Sequence, residues 1–541
     1  MTRREAILSA GLVFLVALVV RIVVASIVVF PKPEDTAYYV DVARNLLAGH
    51  GLVADSLWSY QTPPLTLPRD AFEVWLPLPT FLAAVPMFLL GSTFAAAQVS
   101  SVIVGAIVPV LAWRLGADLA EERRLPPGRA RTLAIGSGIT ASVSLPLILH
   151  SALPDSTMPF AALTLGACLL MTRILARARA GSMPVGLLVA LGVLLGLAAL
   201  TRNEAAWLAL AWVLLVWSVR GAPARERLRL IVVPAAAALA VFAPWAIRDW
   251  IAFGSPLPGQ ALANALSVQG TDIFAWSDPP TVSRYLAVGP ARLLEMRWVG
   301  ILHNLVDVLL LPGAPLSFIG LAALPWVSRA RALRPLVVVS IATFLVTSLA
   351  FPVSTTWGTF LHASGAIQVL LIVSALVALD SLIAAVGRRR RWTRPVAWLA
   401  PTLTAAGALL FSYTLLPSVG GSSEATLKQY VAIERQMAAA GMPIGSIGPV
   451  ITDHPVWVSY ATDAEALALP AESPQSVLDL ARAFPGASTL VISGGNGVWP
   501  GVIDSRAPGS ECFDEVDIGL PAEPDLADAM RGTRVFRIVC P

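Results

Sequence analysis

Glu34 and Asp35 stand side by side just after the first apolar run of this 541-residue chain, three residues ahead of Tyr38 and Tyr39. Asp155 lies in a short polar gap between two later apolar runs, and Arg202 and Glu204 share another. A carboxylate on a rigid element can take a proton from a hydroxyl as general base or hold a divalent cation through oxygen. An arginine can meet a phosphate with its planar fork of donors. Each residue also has a plainer reading. Glu34 and Asp35 precede a helical pattern that runs from Val40 to about residue 50, and Asp155 precedes an apolar run, so all three suit helix capping. Arg202 and Arg248 suit span ends, where arginine snorkels to the interface. His50 and His362 are solitary and read as loop or helix polarity. No CxxC motif or His/Cys cluster with metal-ligand spacing occurs, which excludes a structural zinc site of that kind.

The elements that must position these residues are set by composition. The chain is 56% hydrophobic and 13% charged, about half the charge of a soluble domain. Apolar runs long enough to cross a bilayer core fall at about 7–30, 94–118, 131–153, 157–175, 183–201, 204–219, 229–250, 301–327, 335–353, 361–386 and 396–417. A shorter run at 77–91 contains Pro86 and reads as re-entrant or interfacial. The arginines cluster at Arg3/Arg4, 123–131, 173–179, 220–229, 329–334 and 388–394. About eleven spans put all of them on one side, which the positive-inside rule makes cytoplasmic. The N-terminus is then inside, its first span is uncleaved, and two long outer loops follow, 31–93 and 251–300. The second is expected to cover the site as a mobile segment. Trp58 and Tyr60 read as aromatic interface anchors. The net charge of +4 comes from these topology clusters and gives no reason to expect nucleic acid.

Residues 418–541 have ordinary globular composition, and the odd span count places them outside. Helices are expected over 424–440 and 474–484, and strands over 446–452, 488–493, 516–518 and 535–539. The expected domain is small and α/β. In an oxidising compartment, Cys512 and Cys540, each close to a strand, are expected to pair.

Several segments taken in order resemble a known family. They are Glu34-Asp35-Thr36-Ala37-Tyr38-Tyr39 with Ala43-Arg44-Asn45-Leu46-Leu47-Ala48-Gly49-His50-Gly51, then Phe72-Glu73-Val74-Trp75-Leu76-Pro77, then Leu153-Pro154-Asp155-Ser156 and Leu200-Thr201-Arg202-Asn203-Glu204. Pro244-Trp245-Ala246-Ile247-Arg248-Asp249 and Thr356-Trp357-Gly358-Thr359-Phe360 follow. Over most of residues 1–420 the chain resembles the C-type glycosyltransferases, in particular the polyprenyl- or dolichyl-phosphate-sugar transferases such as protein O-mannosyltransferases and aminoarabinose transferases.

The resemblance implies a helical catalytic domain over 1–417 in the plasma membrane and an extracytoplasmic tail over 418–541. It implies inverting transfer of a hexose or pentose from a polyprenyl-phosphate donor to a glycan, lipid or protein hydroxyl. Asp35 is favoured over Glu34 as the base because its spacing fits an Asp-x-x-Tyr-Tyr form, and Asp155 supports it. Arg202 and Arg248 are candidates for the departing lipid phosphate, and Tyr38, Tyr39, Glu73 and Glu204 for substrate contact. A lysine often follows the acidic residue of the second segment; Val74 stands here, which weakens the claim of Glu73. No metal ligand is assigned, and a divalent metal is left open. Two other readings remain: a transporter or lipid flippase, and a non-catalytic envelope assembly protein. Transporters carry ionisable residues at mid-membrane. Arg21 and Asp307 are the candidates for that, and neither has an obvious partner in the sequence.

Overall fold

The computed structural model describes residues 2–219, 223–392, 396–494 and 499–540. Arg220 and Arg394, which belong to two of the arginine clusters, lie outside these. Among the described residues six helices are long and apolar enough to cross a membrane: Arg3–Ile27, Phe94–Glu122, Thr157–Arg179, Ala224–Phe253, Gly365–Arg389 and Leu399–Ala439. A bent pair, Pro127–Val143 with Leu145–Ser151, makes up to seven. Shorter apolar helices are Leu78–Leu90, Val185–Ala199, Ala205–Trp217, Leu316–Val327 and Arg334–Ala350, and a count near eleven requires them as spans. Large apolar side chains such as Phe88, Trp217 and Ile251 are exposed, as lipid contact allows and water does not. The chain is an integral, multi-pass membrane protein.

Two apolar runs depart from the single spans expected. The run at 301–327 is divided: a π-helix, His303–Leu310, ends well before the helix Leu316–Val327 begins. The run at 131–153 bends by 59° at Ser144, where Pro146 brings a ring and no N–H. A break inside a bilayer exposes backbone carbonyls that must be satisfied by other means. Arg21, on the first span, donates to Ser142 O at 3.3 Å and to Ser151 Oγ at 3.0 Å. Ser412, on the last span, donates to Val143 O at 2.7 Å. Arg21 therefore has partners that the sequence did not reveal. Asp307 has one too: His303 Nδ1, one turn away, lies 3.1 Å from it.

Close helix packing also depends on Gly192 and Gly196, spaced as in membrane helix dimers. A Cβ at Gly196 would lie 2.8 Å from Ala238 O and 2.6 Å from Val241 Cβ on the helix Ala224–Phe253.

The tail forms a six-stranded sheet in the order 56–57, 466–468, 450–452, 489–492, 534–538, 513–516. The first four strands are parallel, and 534–538 runs antiparallel to both of its neighbours. Alternation along the strands makes two cores. Val450, Val491 and Val535 face the helical body. Ile451, Leu490 and Phe536 pack on the helix Pro474–Ala483. Two features tie this sheet to the rest. Ser56–Leu57, from the first long loop, forms its edge strand, and the helix Leu399–Ala439 runs without interruption through Pro417 into the tail. Cys512 and Cys540 form a disulfide.

The segment 251–300 is packed on both neighbours. Gln260 donates to Ser59 Oγ, and Glu472 of the tail accepts the amides of Trp276, Ser277 and Asp278.

Candidate active site

The first long loop opens into the helix Glu34–Ala48, whose first turn carries both carboxylates. Successive helical residues diverge by about 100°, so the two side chains leave on different faces. Asp35 turns into the helical body, where His362 links it to two further segments. His362, on the short helix Thr359–Ala363, places Nε2 3.1 Å from Asp35 Oδ2. Its Nδ1 lies 3.6 Å from Asp155 Oδ2 and 2.7 Å from Thr157 Oγ1. His150, at the end of the bent span, lies 2.8 Å from the same Asp155 oxygen. Asp155 Oδ1 accepts the amide of Thr157 at 2.8 Å, so from one residue before the N-cap, Ser156, it satisfies the first amide of the helix Thr157–Arg179. The capping role and the clustered role are thus filled by different oxygens of one side chain.

All four titratable groups are buried. Burial raises the Asp35 carboxyl above the usual range, with the Asp155 charge adding to it and His362 opposing. Burial acts the same way on Asp155, but His150 and His362 outweigh it and hold that carboxyl below the usual range. Two carboxyls pushed apart in this way can take different roles. Burial would lower His362, and Asp35 and Asp155 overcome it, so the imidazole is raised.

Arg202 closes the site on one side. Its Nε and Nη2 bind both oxygens of Glu204 at 3.0 and 2.9 Å, and its remaining contacts are Ser156 Oγ at 2.8 Å and Thr359 O at 3.0 Å. Glu204 therefore aims Arg202 and is not itself presented to a ligand. Tyr39 is buried beside Asp35, Arg202 and Ser156.

Tyr38, Glu73 and Arg248 belong to a second group. Tyr38 Oη meets the amide of Phe72 at 2.6 Å. Glu73 pairs with Arg69 at 3.4 Å, both fully enclosed. Arg248 donates to Ala71 O at 2.6 Å and to Asp249 at 3.0 Å, and lies 3.4 Å from Asp70. These contacts staple the returning half of the first loop to the helix Ala224–Phe253. Arg248 joins the two sides of that staple.

Glu34 leaves the helix on the other face. Trp58 Nε1 donates to its Oε2 at 2.9 Å, and His454 of the tail stands 3.6 Å from its Oε1.

The sequence reading did not single out His150 and took His362 for an isolated polar residue. The structure puts both in the middle of the site. They are 212 positions apart, so no local spacing announces them; both do lie within a few residues of an apolar-run end, close to the gaps where Asp155 and Arg202 were found. Ligand atoms of His150, Asp155 and His362 all fall within 4.8 Å of one another. Two imidazoles and a carboxylate are a nitrogen and oxygen set of the kind that binds zinc-like divalent ions.

No protein-family model matches the chain, and neither does any curated protein sequence. Solved structures do. The aminoarabinose transferase ArnT from Cupriavidus metallidurans in the apo state is similar over 98% of this chain and 97% of its own, with a TM-score of 0.53 and 14% identity. The same protein bound to undecaprenyl phosphate gives 0.52 and 16%, over 98% of both chains. An Archaeoglobus fulgidus oligosaccharyltransferase in complex with zinc and sulfate matches 94% of this chain and 71% of its own, at 0.52 and 15%. Identities this low speak for architecture only, and they do so over nearly the whole chain: it has the fold of the C-type glycosyltransferases.

Proposed function

We propose that this protein is an inverting glycosyltransferase that moves a sugar from a polyprenyl-phosphate donor to an acceptor hydroxyl at the outer face of the membrane. The observation that carries the proposal is the convergence of Asp35, Asp155, His362 and Arg202, from four separate segments, in one buried cluster beside the first long loop. The undecaprenyl phosphate bound by one structural neighbour fits a lipid-linked donor.

In this reading Asp35 takes the acceptor hydroxyl proton. The acceptor oxygen forms a bond to the anomeric carbon as the bond from that carbon to the phosphate oxygen breaks, and the lipid phosphate leaves with the electron pair. Desolvation makes Asp35 the stronger base. Asp155 stays ionised, fixed by His150 and Thr157, and keeps His362 against Asp35. Arg202, aimed by Glu204, faces the charge that grows on the departing phosphate. His150, Asp155 and His362 would hold a divalent cation, which would supply further positive charge beside the reacting oxygens.

The test is the rate of sugar transfer from saturating undecaprenyl-phosphate sugars by purified variants of matched stability. Asp35→Asn keeps the size of the side chain and is expected to lower turnover about 10²–10⁴-fold, the usual worth of general-base assistance. Glu34→Gln should reduce turnover less. Near-normal turnover of Asp35→Asn removes the base assignment.

A further inference from the structure

The tail sheet contains a topological switch point. From the strand Val450–Thr452 the chain passes through the helix Pro455–Thr462 to Ala466–Ala468 on one side. From there it crosses through the helix Pro474–Ala483 to Thr489–Ile492 on the other side of the first strand. Open parallel sheets bind ligands in the crevice outside the carboxyl ends of such a strand pair. Here those ends are Asp453-His454 and Ser493-Gly494. Asp453 bridges the two strand ends and so fixes the floor of the crevice: its two oxygens accept from Ser493 N at 2.9 Å, Ser493 Oγ at 2.8 Å and Gly494 N at 2.9 Å. A Cβ placed on Gly494 would meet only Asp453 Oδ2, at 3.8 Å.

The crevice opens onto Glu34. Its Oε1 is buried and has no hydrogen-bond partner among the described residues, an arrangement that is costly unless something supplies a donor. His454, beside it, keeps 37% of its side chain exposed. Lys32 lies on the rim, 5.5 Å from the Trp457 ring. On the other side Trp58 contacts Trp357, ring centroids 6.0 Å apart, and Trp357 is 39% exposed.

We propose that this crevice is the acceptor subsite and that it takes a glycan, whose hydroxyls meet Glu34 and His454 while a ring face lies against the tryptophans. The proposal rests on the transferase reading and names the acceptor class for it. A sugar hydroxyl both donates and accepts, so it can complete Glu34 Oε1 and a histidine N–H together. The aromatic wall presents flat apolar surface of the kind that lines ligand pockets around a few placed polar groups. An extended peptide is disfavoured, because it would bind by adding to a sheet edge. Both strands at the crevice are interior, the edges being Ser56–Leu57 and Phe513–Val516. An anionic group would meet the carboxylate of Glu34. The neighbouring residue, Asp35, stands on the next face of the same helical turn, so a glycan seated on Glu34 needs to extend only across that turn to bring a hydroxyl to the base.

The experiment is a glycan-array screen with the purified full chain in detergent, followed by titration of the hits by tryptophan fluorescence and of serine- and threonine-containing peptides as a control. Wild type is expected to bind glycans. Glu34→Gln and His454→Gln should each weaken that binding about tenfold or more, and Asp35→Asn should keep it. Absence of any glycan hit, binding by both crevice variants as tight as wild type's, or binding of the peptides alone overturns the proposal. Loss of transfer in Asp35→Asn with glycan binding intact separates this subsite from the base assignment. Normal transfer in Asp35→Asn would sink the mechanism without touching the subsite.

Discussion

Tyr38 and Tyr39 are neighbours on one helix, yet they serve two different polar groups. Tyr39 lies in the cluster of Asp35, Asp155, His150 and His362, where carboxyls and imidazoles stand within reach of one another. Tyr38 lies with Arg69, Glu73 and Arg248, where each arginine is committed to backbone carbonyls and one or two carboxylates. Both groups are buried and charged, and both fall in segments that resemble family motifs. Burial of charge therefore does not distinguish chemistry from scaffolding here. What does is whether the groups can exchange protons with one another and with a ligand.

The largest effect that would sharpen this contrast is on the scaffolding side. Arg69→Met strips Glu73 of its partner in a closed site, and breaking one half of a buried pair costs about 3–5 kcal/mol. Unfolding of the detergent-solubilised protein should register that loss, and Arg69→Met with Glu73→Leu should recover most of it. Unchanged stability in the single variant would show that the group is not a staple.

Asp41 gives a second, smaller test. It lies on the same helix, against Ser459 of the tail. Burial, with the nearby charge of Asp55, pushes its carboxyl up to about 7. The folded state then holds a proton that the unfolded chain releases near pH 4, so stability is expected to fall as pH rises from about 4 towards 7. The change between pH 5 and 7 should be about 2–3 kcal/mol. Asp41→Asn should flatten that dependence. A profile equally steep in the variant would assign it elsewhere.

Much of the fold was legible because span length follows from the thickness of the bilayer. The tail helix at Pro474–Ala483 and the strands Val450–Thr452, Thr489–Ile492 and Arg534–Ile538 fall where period and turn residues put them. The expected strand at 516–518 begins earlier, at Phe513. Other elements carried no local signal. Ser56–Leu57 is a two-residue strand that exists only because a sheet edge 410 positions away accepts it. The bend at Ser144 sits inside a run whose hydropathy does not change there, and it is stabilised by Arg21 and Ser412 from distant spans. The same holds for the site: Asp35 and Asp155 could be found from segment resemblance, whereas His150 and His362 acquire meaning only when the bend and the helix Thr359–Ala363 bring them together.

The smallest expected effect concerns Arg202. Lysine keeps its charge and loses the fork that Glu204 and Ser156 hold. Arg202→Lys is expected to lower donor use about tenfold, or about 1.4 kcal/mol, with Arg202→Ala lower still. Arg248→Lys should alter stability more than turnover. Equal kinetic losses at both arginines would erase the line drawn between the two groups.

The central claim is that the cluster around Asp35 is where a lipid-linked sugar is used, and it is tested most directly by determining the structure of the protein with undecaprenyl phosphate bound. The account predicts the phosphate within hydrogen-bond distance of Arg202 and in the same cleft as Asp35. A phosphate seated on Arg248, or on the opposite side of the helical body from Asp35, would contradict it.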